Sequence, residues 1–193
     1  MNSKIKICNL ALGYLGQGTI ASLNQEDERA KRINLFYDAV RDEVLRTHNW
    51  GFATVRAPLA LVRKEETGGL YLYQYPVDCL FIRRVFSPVK KSREPFFELF
   101  DASSKTRVLA TREPNAWAVY TRCVADETQW DASFTKAFTL ALACDLAVAL
   151  TGDLALHRQL EQKYVLYLEE ARRSNSAENF HLAPQADAFS EVR

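Results

Sequence analysis

The sequence predicts an α+β fold: a four-helix bundle-like core, an inserted small antiparallel β-sheet and an extended C-terminal tail. Three observations predict it. Apolar residues recur at helical spacing near both ends of the chain. Between them, from about Val55 to Val124, short β-branched and aromatic runs alternate with polar turns. After Arg173 the chain becomes polar, with Phe180, Leu182 and Phe189 scattered through it. The expected domains are 1–54 with 125–173 for the helical core, 55–124 for the β insertion and 174–193 for an extended arm. Both ends supply the helices, so the sheet is an excursion from them.

Size and charge narrow the function classes. At 193 residues the chain suits one domain with an insertion, and 48% apolar residues suffice for a real core. Its net charge of +1 gives no global drive towards nucleic acid or an anionic membrane. Cys8, Cys79, Cys123 and Cys144 form no C-x-x-C pair, so a zinc site has little support. Unpaired cysteines with apolar neighbours fit a reducing cytosol. The basic, apolar N-terminus reads as a first helix, because its apolar run is short and Asn9 interrupts it. Nothing approaches the ~20 apolar residues that a membrane span needs.

Ile5, Cys8, Leu12 and Leu15 make a stripe over a helix at Lys4–Leu15. Gly13, Gly16 and Gly18 follow in the wrong order for a phosphate loop and read as a helix cap and turn. Ser22–Ala53 is the stretch the chain is organised around. Asn24 reads as its N-cap, with Glu26, Asp27 and Glu28 at the positive end of the dipole. Ile33, Phe36, Tyr37, Val40 and Val44 form the buried stripe of a helix over Gln25–His48. Arg29, Arg32, Arg41 and Arg46 lie on its charged face. Asp27–Lys31, Glu28–Arg32 and Asp42–Arg46 are spaced as ion pairs worth about 0.3 kcal/mol each. Trp50 and Phe52 anchor the helix end.

Four strands are expected at Leu80–Phe86, Pro95–Phe100, Arg107–Arg112 and Ala116–Val124, joined by hairpin-length turns into a meander with one wet face. Pro76 sets the chain's direction before them, and Asp78 is placed to accept from backbone N–H groups at the turn. An Ala-rich helix at Asp131–Leu150 has small residues that admit a close neighbour. Thr151-Gly152-Asp153 breaks it, with Asp153 as the N-cap of a last helix over Leu154–Arg173.

Three of these pieces together resemble the tail tubular protein A family, the head-to-tail adaptors or gatekeepers of short-tailed bacteriophages. The first is Leu15-Gly16, Ile20-x-x-Leu23, an acidic start, Tyr37-x-x-x-Arg41-Asp42-x-x-Leu45 and Trp50-x-Phe52-Ala53. The second is the aromatic run ending in Tyr75-Pro76-Val77-Asp78, where Tyr75 stands directly before the proline instead of three residues ahead. The third is the Ala-rich helix, its Thr-Gly-Asp break and the Tyr-containing helix after it. The resemblance covers about Ile5–Ala171. It implies a structural virion protein, made in the host cytoplasm and sited in the neck. Twelve copies would close a ring between the portal protein and the downstream tail tube or nozzle protein. That ring would pass double-stranded DNA without reading its sequence, with no enzyme activity, cofactor or membrane.

Closed rings need heterologous contacts, in which two different faces of the subunit meet. The expected contributors are Arg29, Arg32, Arg41, Arg46, Arg83 and Arg84, with Phe180, Leu182 and Phe189 reaching the portal. The basic residues from Arg83 to Arg112 can alternatively touch phosphates. Asp145, an acid within an apolar helix face, is expected to pair with an arginine of the central helix or of a neighbouring subunit. The competing class is a glycan-hydrolysing tail protein using carboxylates such as Glu65-Glu66, Asp126-Glu127 or Asp145. No nucleophile elbow, metalloprotease motif or P-loop is present in the sequence.

Overall fold

The computed structural model describes residues 3–65 and 68–179. Four helices and two four-stranded antiparallel sheets make an α+β fold. The helices are α1 (Lys4–Tyr14), α2 (Glu28–Thr47), α3 (Ala132–Thr151) and α4 (Leu154–Asn179). The strands are β1 (Thr54–Pro58), β2 (Leu61–Lys64), β3 (Tyr71–Gln74), β4 (Cys79–Phe86), β5 (Arg93–Glu94), β6 (Phe96–Asp101), β7 (Thr106–Thr111) and β8 (Trp117–Arg122).

The helix ends follow from local chemistry. Ser3 caps α1, and Gly16, at φ 67°, lets Gln17 N–H return to the Leu12 carbonyl at 3.0 Å. Asp131 caps α3 by accepting from Phe134 N–H, and Gly152 closes it at φ 68°. Asp153 then accepts from the N–H groups of Ala155 and Leu156 to start α4. For α2 the cap is Asp27, three residues later than Asn24. Its carboxylate accepts from Arg29 N–H and also pairs with the Arg29 guanidinium, so it serves the helix end twice.

The hub is α3, not α2. Helices α1, α2 and α4 each pack chiefly on α3 and touch one another more lightly. Twelve of the twenty residues of α3 are buried, including Phe134, Phe138, Leu140, Leu142 and Leu146. By length and composition α3 is apolar enough to cross a membrane, contrary to the sequence expectation. Here its apolar window is 67% buried among the other helices. Rings interlock at its start: Phe134 meets Trp50, Phe52, Trp130 and Phe138. Burial of this kind is worth about 2 kcal/mol per large side chain.

The insertion is not a meander. The strand orders are β1-β8-β4-β5 and β2-β3-β7-β6. The chain switches sheets after β1, β3, β5 and β7, so the β2–β3, β4–β5 and β6–β7 hairpins alternate between the two sheets. Tyr73, Leu109, Ile82, Val85, Ala118 and Tyr120 meet between the sheets in a small core. The expected wet face is absent at β8, where Val119 and Thr121 on the opposite side are buried too. Strand β8 pairs on both edges, with β1 and with β4.

On the second sheet, Arg63 of β2 reaches Asp101 of β6 with two bonds of 2.8 Å. These are the outer strands, which a flat sheet would hold about 14 Å apart. The ion pair therefore requires the sheet to curl, and Leu72, Val108 and Ala110 are buried as a separate cluster. At the far end, α4 runs on to Asn179, so 174–179 is helix and not extended arm. Asn175 is buried there and hydrogen-bonds His48.

Candidate interaction surfaces

The arginines singled out in the sequence divide into those spent inside the chain and those facing out. Arg83, on β4, is a strap. Its guanidinium donates to the carbonyls of Arg46 at 2.9 Å and His48 at 2.5 Å, and to Thr121 Oγ1. Helix α2 ends on extended His48 with no glycine, and Arg83 satisfies its last carbonyls in place of a glycine motif. Arg172 of α4 donates to the neighbouring Thr47 carbonyl. Arg46 reaches back from α2 to the Leu80 carbonyl, and both Arg46 and Arg83 lie over the Phe81 ring. Two arginines expected at an interface thus join the helices to the first sheet.

Arg41 is also internal. It is 8% exposed and bonds to Asp38 and Asp42. Arg29 pairs with Asp27 rather than leaving it to Lys31, and Asp42 serves Arg41 rather than Arg46. Arg32 pairs with Glu28 as the spacing requires, on an exposed face. Phe180, Leu182 and Phe189 lie outside the described residues.

Of the expected anchors, Trp50 is fully buried and donates its indole N–H to the Val44 carbonyl, with Phe52 packed beside it. The Pro76 carbonyl accepts from Cys79 N–H at the entry to β4. Asp78 accepts from the Tyr120 hydroxyl at 3.1 Å, so it serves a side chain across the sheet rather than the turn's N–H groups. Asp145 pairs with no arginine among the described residues. It lines a shallow helical cleft of about 190 Å³ with Glu43, His157, Glu161 and Tyr164. Burial, and then the Glu43 charge, push its carboxyl above the usual range. Burial pushes the Tyr164 hydroxyl and the Cys144 thiol up to about 12, which leaves both protonated at neutral pH.

The carboxylates weighed for hydrolysis do different jobs. Asp126 caps a short turn through Thr128, and Glu127 accepts from the buried Tyr37 hydroxyl at 2.8 Å. Among the described residues, no group of three His, Cys, Asp or Glu is placed to hold a metal.

One surface was missed in the sequence and a second was seen only in part. The outer strands of the second sheet expose apolar side chains: Phe97 and Phe100 on β6, and Leu61 and Val62 on β2. Leu61 and Val62, like Phe97 and Phe100, point to opposite faces of their strands, so what an outer strand offers another chain is its unpaired backbone edge, flanked here by exposed apolar side chains. The other surface is a cleft of about 430 Å³ at the β4–β5 hairpin, lined by Arg56, Arg84, Phe86, Lys91, Ser92 and Arg93 among others. Arg84, and Lys91 and Arg93 within the basic run from Arg83 to Arg112, were expected at a surface that can touch phosphates; Arg56 was not. A comparison with protein-family models finds no match for the chain, and one with curated proteins finds none either.

Proposed function

We propose that the chain is a structural virion protein, a head-to-tail adaptor whose copies close a ring between the portal and the tail tube of a short-tailed phage. Twelve is the copy number that the resemblance implies. One observation carries the reading beyond that resemblance. The second sheet has two unlike outer strands, β2 with exposed Leu61 and Val62 and β6 with exposed Phe97 and Phe100, drawn towards each other by the Arg63–Asp101 pair but not hydrogen-bonded to each other as a ladder. Unlike edges on one subunit are what a heterologous, ring-closing contact uses. The helical core stands behind them, and residues 180–193 are the segment offered to the portal.

The test is electron microscopy of the protein mixed with a candidate portal, beside sedimentation of the protein alone and of a Phe97→Ser/Phe100→Ser variant. We expect twelve-fold annuli with the natural chain and loss of them in the variant, with an unchanged melting midpoint. Deleting 180–193 should weaken portal attachment and spare the fold. A cut at 174 is the wrong experiment, because it removes buried Asn175. A monomer that ignores the portal at high concentration would end the proposal.

A further inference from the structure

The β4–β5 cleft gathers four cations from three places in the chain: Arg56 from β1, Arg84 from β4, and Lys91 and Arg93 from the hairpin loop and β5. None of the four makes an ion pair among the described residues. Of the acids close by in the fold, Glu113 is taken by Lys90 at 2.8 Å, while Glu94 accepts from the Ser92 hydroxyl and keeps its charge, one anion against the cleft's four cations. The surplus is local, since the whole chain carries only +1.

The arginines are also held in place. Arg56 lies over the Phe86 ring at 4.5 Å and over Trp117 at 6.0 Å, and Arg84 lies over Phe86 at 5.6 Å. Two guanidiniums thus share one aromatic support, which fixes like charges side by side. Lys91 sits at the hairpin tip with φ 55°, a left-handed backbone where glycine is the usual residue. Such an arrangement repels itself unless an anion enters.

Planar guanidinium forks match phosphate oxygens, and a desolvated aromatic floor favours them over a hydrated ammonium. Four cations spread along a cleft exceed what one phosphate neutralises. We infer that the β4–β5 cleft binds the phosphate backbone of a nucleic-acid duplex, with Arg56, Arg84, Lys91 and Arg93 contacting successive phosphates and no base being read. This deepens the adaptor reading and takes its biological setting from it, because in a ring the cleft would be where passing DNA meets the subunit.

The experiment is fluorescence anisotropy of a labelled duplex with the full chain at 50 and 200 mM salt. Four phosphate contacts give a slope near −3.6 in log affinity against log salt, so affinity should fall about 150-fold between those salts. Arg84→Gln/Arg93→Gln should cut that fall to about tenfold, while Arg32→Gln, on α2, should leave it unchanged. Melting curves establish that each variant folds, and Arg56→Gln alone, with an expected slope near −2.7, is the second variant should the double one not fold. Duplex binding that is indifferent to these changes would overturn the assignment. So would displacement of the duplex by equimolar inorganic phosphate, which would make this a small-anion site. Equal competition by polyglutamate at matched charge would overturn it in favour of an acidic protein face. Rings that form normally without duplex binding would sink the cleft and spare the adaptor. Duplex binding by a chain that never forms a ring would do the reverse.

Discussion

Phe134, in the helical part, is fully buried and touches four other aromatic rings. The β part has nothing of that kind. Its inter-sheet core is a handful of residues, and its curled sheet is pinned by the Arg63–Asp101 pair, with Asp101 only 5% exposed. One region is held by apolar packing, which is non-directional and tolerant of charge and salt. The other depends on directed polar bonds, which specify a register but respond to pH. Under the proposed adaptor role, the difference would suit a stiff body and an edge whose shape must be set closely for a neighbour.

Five changes can break or sharpen that contrast. Phe134→Ala should have the largest effect, about 4 kcal/mol of unfolding free energy in urea. Leu109→Ala, fully buried between the sheets, should cost less, about 2.5 kcal/mol. If the two cost the same, the contrast fails. Arg83→Met should follow at about 2 kcal/mol, since carbonyls at the end of α2 lose charged donors. A silent Arg83→Met would mean that water caps α2 equally well.

The fourth concerns acid. Bonds from Arg63, and then from Ser104, hold the Asp101 carboxyl far below the usual carboxylate range. The unfolded chain therefore takes up the proton first as pH falls. The stabilisation is whole above the ordinary value of 3.8 and is lost as pH drops towards the folded value. Asp27, held at about 2 by Arg29, adds a loss of the same sign between 3.8 and about 2. Asp101→Asn should flatten the acid limb of stability against pH; parallel limbs for variant and natural chain would remove Asp101 from this account. Smallest is Asp145→Asn. Its raised carboxyl opposes folding once ionised, so the variant should be more stable at neutral pH, by about 0.5 kcal/mol or less. A destabilised variant would reveal a partner for that carboxylate.

Much of the helical part was legible. Asp131, Gly152, Asp153 and Gly16 are capping residues whose chemistry acts within a few positions, and α3 and α4 begin where those residues require. Asn24 misled because it is as good a cap as Asp27, and only the Arg29 guanidinium separates them. The four expected strands fall on β4, β6, β7 and β8. Strands β1–β3 were not recognised as strands, since Pro58 and Arg63 break their apolar runs. The sheet switching was hidden, because a hairpin looks the same in sequence whichever sheet the next strand joins. Residues 174–179 are polar enough to suggest an arm, and their helix continues where Ala171 and Asn175 are buried. The role of Arg83 lay out of reach, since its His48 acceptor is 35 positions away. In the basic cleft, Lys91 and Arg93 read as part of a turn, and Arg56 reaches them only through the β1-β8-β4-β5 order.

The strap from Arg83 also imposes an order on how the chain comes together. The last turn of α2 receives its donors from a strand made more than thirty residues later and from the final helix. Its first turns can form as soon as they are synthesised, whereas its final carbonyls stay bare until β4 is in place. In pulse-labelled exchange, the last-turn amides of α2, which fray while those carbonyls lack their cap, should gain protection later than the rest of the helix and in step with β4.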